Sequence, residues 1–123
     1  MTNYDINISI AEHCGWRNIK EIDYQPIGTD PYIADPVQMW VGIHPESNSD
    51  QYEVIPDYCN DLNAMRNAEL TLWRDECLVE KYEENLKKEF LYQVGYQGAA
   101  YWFMANAHTK AVAFLKAIGK WEK

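Results

Sequence analysis

Apolar residues four apart open the chain. Ile6, Ile10 and Cys14 fall on one face of a helical segment over residues 5–14, and Gly15 followed by Trp16 supplies a left-handed stop with an apolar follower. Ile19, Ile22 and Tyr24 then lead into a proline-punctuated loop that runs through Asp35. At residue 37 the period changes to two: Val37, Met39, Val41 and Ile43 alternate with Gln38, Trp40, Gly42 and His44 between Pro36 and Pro45. That pattern predicts a strand with one apolar face. Glu46 to Asp50 form a polar turn, after which Tyr52 to Ile55 pair back as a shorter strand that stops at Pro56.

Helical spacing returns after Pro56. Asp57 is placed as the N-cap of a helix reaching about residue 72, with Leu62, Met65 and Leu72 on one face. A second stretch over roughly 74–88 sets Leu78, Tyr82 and Leu86 four apart, and the two stretches also fit one kinked helix. On its wet side Glu83 precedes Lys87 and Glu84 precedes Lys88, the favoured order for pairs one turn apart. Phe90, Tyr92 and Val94, then Tyr101 and Phe103, flank Gly95-Tyr96-Gln97-Gly98 and predict a hairpin, although Ala99 to Ala105 also suits a helix. The last helix has Asn106 as cap, Ala111, Val112, Leu115 and Ile118 as the buried stripe, and Gly119 before Trp121 as its stop. The expected class is α+β: one domain over 1–123, a small, mainly antiparallel sheet and helices on both faces.

A chain of 123 residues can bury a core without metal or disulfide staples. Charge changes the picture more than size does. The formal charge is −8, and it resides in the first half: residues 21–65 contain no lysine or arginine yet carry Glu21, Asp23, Asp30, Asp35, Glu46, Asp50, Glu53, Asp57 and Asp61. All five prolines lie in or beside those acids, and the interval holds alternating apolar residues, so it reads as folded acidic surface. Phosphate backbones and anionic lipids demand cationic contacts, which disfavours direct nucleic-acid or membrane binding and favours a basic protein partner. Three cysteines without C-x-x-C spacing, and no basic segment followed by an apolar run at the start, fit a reduced intracellular setting.

Three blocks carry a resemblance. The stretch from Ala105-Asn106-Ala107-His108-Thr109-Lys110 through Leu115-Lys116-Ala117-Ile118-Gly119-Lys120-Trp121-Glu122 resembles the closing helix of the phage ABA sandwich domain, a family of small bacteriophage and prophage proteins. Ile8-Ala11-Glu12 with Cys14-Gly15-Trp16, and Ile55-Pro56-Asp57-Tyr58-Cys59-Asn60-Asp61-Leu62-Asn63-Ala64-Met65, are similar to two further family blocks in the same order. They cover about a third of the chain, leaving residues 17–54 and 74–104 longer and more acidic than a minimal member. The resemblance implies a helix-sheet-helix sandwich, a phage origin and the cytoplasm of the bacterial host as the location; it brings no catalytic residues.

Each chemical possibility has a plainer counterpart. Cys14, Cys59 and Cys77 with one of His13, His44 or His108 could supply zinc ligands, but His13 and Cys14 are helix neighbours pointing about 100° apart. Glu46 to Asp57 mimics a calcium loop at its first, third and fifth positions, then places Gln51 where glycine is needed and Asp57 where a longer glutamate is expected. Glu76, Glu80 and Glu84 stand beside lysines on a solvated face, and no nucleophile or phosphate-loop motif occurs. No cofactor is expected. Tyr92, Tyr96, Tyr101, Trp102 and Phe103 suit the core of a hairpin, or a pocket that sequesters a nucleotide-like small molecule. The favoured reading is a non-enzymatic binding protein whose acidic surface takes positions that phosphates would occupy on a basic host protein, a defence nuclease or nucleic-acid-binding complex included. Asp23, Asp30, Asp35, Glu46, Asp50, Glu53 and Asp57 would make the docking face, with Tyr32, Trp40 and Tyr52 as anchors.

Overall fold

The computed structural model describes residues 1–24, 37–48, 50–94 and 105–122. In chain order the elements are α1 (Asn3–His13), β1 (Arg17–Tyr24), β2 (Val37–Ile43), β3 (Tyr52–Val54), α2 (Leu62–Leu72), α3 (Glu76–Val94) and α4 (Ala107–Ile118). The strands form one antiparallel sheet in the order β1-β2-β3, so the α+β class is as expected.

Local chemistry accounts for most boundaries. Thr2 and Asp5 close α1 with a reciprocal capping box, and Gly15 ends it at φ +99, a conformation in which a side chain would be strained. The cap of α2 is Asp61, which accepts from the amides of Asn63 and Ala64, and not Asp57 as the sequence pattern suggested. Asp57 instead sits in the preceding turn, its carbonyl taken by the amides of Asn60 and Asp61. Asp75 caps α3 by accepting from Cys77 and Leu78, which separates α2 and α3 into two helices. Asn106 accepts from Thr109 at 2.8 Å, and Gly119 closes α4 at φ +76.

Two elements differ from the expectation. Residues 17–24 form a strand, where only a lead into a loop was expected. Ile19 and Ile22 are three residues apart and so lie on opposite faces, which leaves no single apolar face to mark the strand, and its start is further broken by a register shift between Arg17 and Lys20 with Asn18 at φ 52. The shift also brings the Arg17 carbonyl and Ile19 against Gly42, where a Cβ would meet them at 3.2 and 3.1 Å. Glycine there permits the close approach. The second difference is α3, which continues through Val94, so Phe90, Tyr92 and Val94 are helical and not the first strand of a hairpin. The four-residue spacing of Tyr82, Leu86 and Phe90, all buried, outweighs the two-residue spacing that suggested a strand. The remainder of that proposed hairpin, residues 95–104, lies outside the described residues.

Helix α4 is the hub of the core. Its Ala111, Ala113, Phe114 and Leu115 are fully buried, and it packs against α1, α2 and α3. Phe114 meets Tyr82 edge-on at 6.1 Å and His13 at 5.4 Å. The sheet joins this core through Ile55, with Ile19 and Trp40 packed beside it. Val41 and Ile43, on the other face of β2, are buried but stand apart from that cluster. Among the described residues no helix is long and apolar enough to cross a membrane.

Candidate protein-docking site

The β2–β3 connection concentrates exposed charge. Antiparallel pairing sets Ile43 opposite Tyr52, Gly42 opposite Glu53 and Val41 opposite Val54. The turn between the strands is fastened by its own backbone and side chains: Ser47 donates to the His44 carbonyl, the Glu46 amide donates to His44 Nδ1 at 3.1 Å, and Arg17 donates to the Ser47 carbonyl at 3.1 Å. These contacts engage main-chain atoms and leave the carboxylates outward. Glu46, Asp50 and Glu53 are all exposed, and Glu46 and Glu53 line a shared hollow of about 290 Å³ with His44, Ser47 and Gln51.

Ion pairing separates the two halves of the chain. Among the described residues the ion pairs are Lys88 with Glu84, Lys110 with Glu69 and Lys116 with Glu89, and every one uses an acid beyond residue 61. None of Asp23, Glu46, Asp50, Glu53 or Asp57 is paired with a lysine or arginine among the described residues. Lys20 stands over the Tyr52 ring, 4.1 Å from its centroid, as a cation–π contact and not as a partner for a carboxylate.

The proposed site residues therefore divide. Glu46, Asp50, Tyr52 and Glu53 gather on one hairpin. Asp23 is exposed on β1, opposite Gln38 and about 13 Å along the strands from Gly42 and its partner Glu53. Trp40 is half-buried against the core, so its indole serves packing more than presentation. Asp57 has a structural occupation: it accepts from Asn7 Nδ2 at 3.1 Å and from Asn60 at 2.9 Å, while Asn7 Oδ1 takes the Cys59 amide at 3.1 Å. Asp30, Tyr32 and Asp35 lie outside the described residues, as does the aromatic cluster from Tyr96 to Phe103.

The Asn7 contacts tie α1 to the segment between β3 and α2. Removing both with Asn7→Ala should cost about 1–3 kcal/mol, because the Cys59 amide is part-buried and Asp57 loses a charge-assisted donor. Urea unfolding would read this as a lower midpoint at unchanged slope; an unchanged midpoint would show the clamp to be idle.

A larger cleft, about 850 Å³, was not visible in sequence because it is assembled from the end of α1, the end of β2 and one side of α2. Trp16 and His44 meet edge-on there at 5.1 Å, above Cys14, Tyr58 and Thr71. Its groups are not activated. Burial pushes the Cys14 thiol up, against the opposing hydrogen bonds of Tyr58 and Thr71, so it stays protonated at neutral pH and is a poor nucleophile. Burial likewise lifts the Tyr58 hydroxyl far above the ordinary tyrosine range. His13 is shifted the other way, by burial and then by the Lys120 charge, and is neutral at pH 7. Among the described residues no group of three His, Cys, Asp or Glu side chains is arranged to hold a metal ion. Cys14, Cys59 and Cys77 are free thiols, half-buried, buried and exposed respectively.

Compared with known proteins, the chain matches no family model, no curated protein and no solved structure. The three sequence blocks singled out above fall at helix stops, caps and core positions: Gly15, Asp61, Met65, Asn106, Leu115 and Gly119.

Proposed function

We propose that this protein acts by stoichiometric binding, docking the acidic β2–β3 hairpin onto a basic surface of a partner protein. The observation that supports it is the clustering of Glu46, Asp50 and Glu53 on one hairpin, all exposed and none in an ion pair among the described residues, whose ion pairs all use acids beyond residue 61. Carboxylates left this way attract an oppositely charged surface at long range and speed its encounter, an effect that salt weakens. The resemblance of the three sequence blocks extends the proposal: a phage-type protein in a bacterial cytoplasm would meet host proteins whose basic surfaces normally hold nucleic acid, and occupying such a surface would inhibit them.

Reversing the hairpin charges with Glu46→Lys, Asp50→Lys and Glu53→Lys should weaken association at least about tenfold at low ionic strength. Because all three side chains are exposed, the melting temperature should move by no more than a few degrees. The measurement is capture of basic proteins from a bacterial lysate by wild-type and triple-variant protein over a salt series. Recovery of the same proteins, with the same salt dependence, by both would reject the docking hairpin.

A further inference from the structure

Among the described residues β3 is an edge strand. It pairs with β2 on one side, and among the described residues no strand pairs with its other side. Every residue of the run 50–54 is exposed, including Tyr52 at 39% and Val54 at 55%. The pairing fixes which backbone groups are available. The Ile55 amide donates to the Trp40 carbonyl at 3.0 Å, so in the alternating pattern of an antiparallel pair Ile55 and Glu53 point their amides and carbonyls toward β2. Those of Tyr52 and Val54 point outward.

The surroundings of this edge select an occupant. Tyr52 and Val54 share one face, and beyond Val54 a groove of about 330 Å³ opens between Tyr4 and Ile8 of α1 and Met39, Trp40 and Ile55 of the sheet. That groove has room for an apolar side chain. Asp57 lines it, Glu53 lies on the strand itself and Glu46 and Asp50 lie in the turn before it, with Lys20 as the cation over the strand's Tyr52 ring. A second copy of this chain is a poor fit, since two β3 strands paired antiparallel about their centres would set Glu53 against Glu53. A strand carrying lysine or arginine between apolar residues fits both features.

We infer that β3 is an addition site at which an extended, lysine- or arginine-bearing segment of the partner pairs as a fourth strand. Its backbone takes the outward groups of Tyr52 and Val54, its cations meet Glu53 and its neighbours, and an apolar side chain enters the groove beside Tyr4. This rests on the docking reading above and specifies how the partner presents its charge. Main-chain pairing would supply affinity, while the acids would supply choice of partner.

The test uses the whole protein and three capped decapeptides. One alternates valine with lysine, one is the same sequence N-methylated at alternate residues on its hydrogen-bonding edge, and one alternates valine with glutamate. Fluorescence anisotropy should show saturable binding of the valine–lysine peptide, at least about tenfold weaker binding of the methylated form and none of the acidic one. Amide exchange at Tyr52 and Val54 should slow on binding. Equal binding of methylated and unmethylated peptides, lost in the hairpin triple variant, would overturn strand addition and leave the acidic docking reading standing. Failure of the valine–lysine peptide to bind would overturn both strand addition and the docking reading, binding indifferent to the triple variant would overturn the charge selectivity, and self-association through β3 would overturn the choice of occupant.

Discussion

Raising the pH above about 10 should unfold this protein, with a midpoint between about pH 11 and 12. Tyr58 and Tyr82 are 3% and 2% exposed, and both hydroxyls are driven far above the ordinary tyrosine value by burial. For Tyr82 the neighbouring Glu69 charge adds to the effect. An acid whose folded pKa exceeds its unfolded one stabilises fully below the unfolded value, and that contribution is lost as pH rises toward the folded value. Each tyrosine then removes about 1.4 kcal/mol of stability per pH unit above about pH 10. The Cys59 thiol, pushed up to about 11 by burial and by the Asp57 charge, begins to contribute near pH 9. Together the three remove about 3 kcal/mol between pH 10 and 11, because the unfolded tyrosines are only half ionised at pH 10, and this is a large share of the 5–15 kcal/mol typical of a domain. Circular dichroism should lose its helical signal as the tyrosine absorbance of phenolate appears. Tyr82→Phe should reduce the pH slope by about a third. Stability that stays flat from pH 9.5 to 11 would mean these hydroxyls ionise freely in the folded state.

Phe114→Ala should cost about 3–5 kcal/mol and lower the melting temperature by about 10–25 °C. The ring is 0% exposed at the centre of α4, with Tyr82 and His13 edge-on against it. Its neighbours belong to separate helices held by other contacts, so they cannot close the cavity completely. Trp73→Ala is the matched control: that indole, at the end of α2, is 74% exposed and its loss should change stability by less than about 0.5 kcal/mol. Equal effects of the two substitutions would contradict the placement of the core.

Elements built on one uninterrupted period were legible in the sequence. Ile6 and Ile10 announce α1, the alternation from Val37 to Ile43 announces β2, and Asn106 with Gly119 brackets α4. What was hidden has a physical cause in each case. Ile19 and Ile22 of β1 stand three residues apart and face opposite ways, so the strand shows no apolar alternation. Around Asp57 two acids stood four residues apart with capping chemistry, and only the tertiary bond from Asn7 decides that Asp57 belongs to a turn and Asp61 to the helix. Phe90, Tyr92 and Val94 satisfy either period, and burial of Phe90 in line with Tyr82 and Leu86 decides for the helix.

The candidate site was partly legible for the same reasons. A polar run between two alternating segments is enough to place Glu46, Asp50 and Glu53 on an exposed hairpin. Sequence could not show that Asp57 is held by two asparagines or that Trp40 leans on the helical core, since both facts depend on α1. The cleft at Trp16 and His44 was invisible for a related reason, its walls coming from three elements far apart in the chain.

Placing the hub of the core in α4 bears on how the molecule is made. As the polypeptide emerges from the ribosome, α1 to α3 and the sheet exist before the helix that fills the space between them, so Ile10, Leu72 and Leu86 wait without their shared partner. Collapse that joins residues as distant in the chain as His13 and Phe114 is slow compared with local helix formation. Nascent chains stalled before residue 107 should therefore be held by chaperones or degraded, and release of the closing helix is the event that commits the domain to its final state.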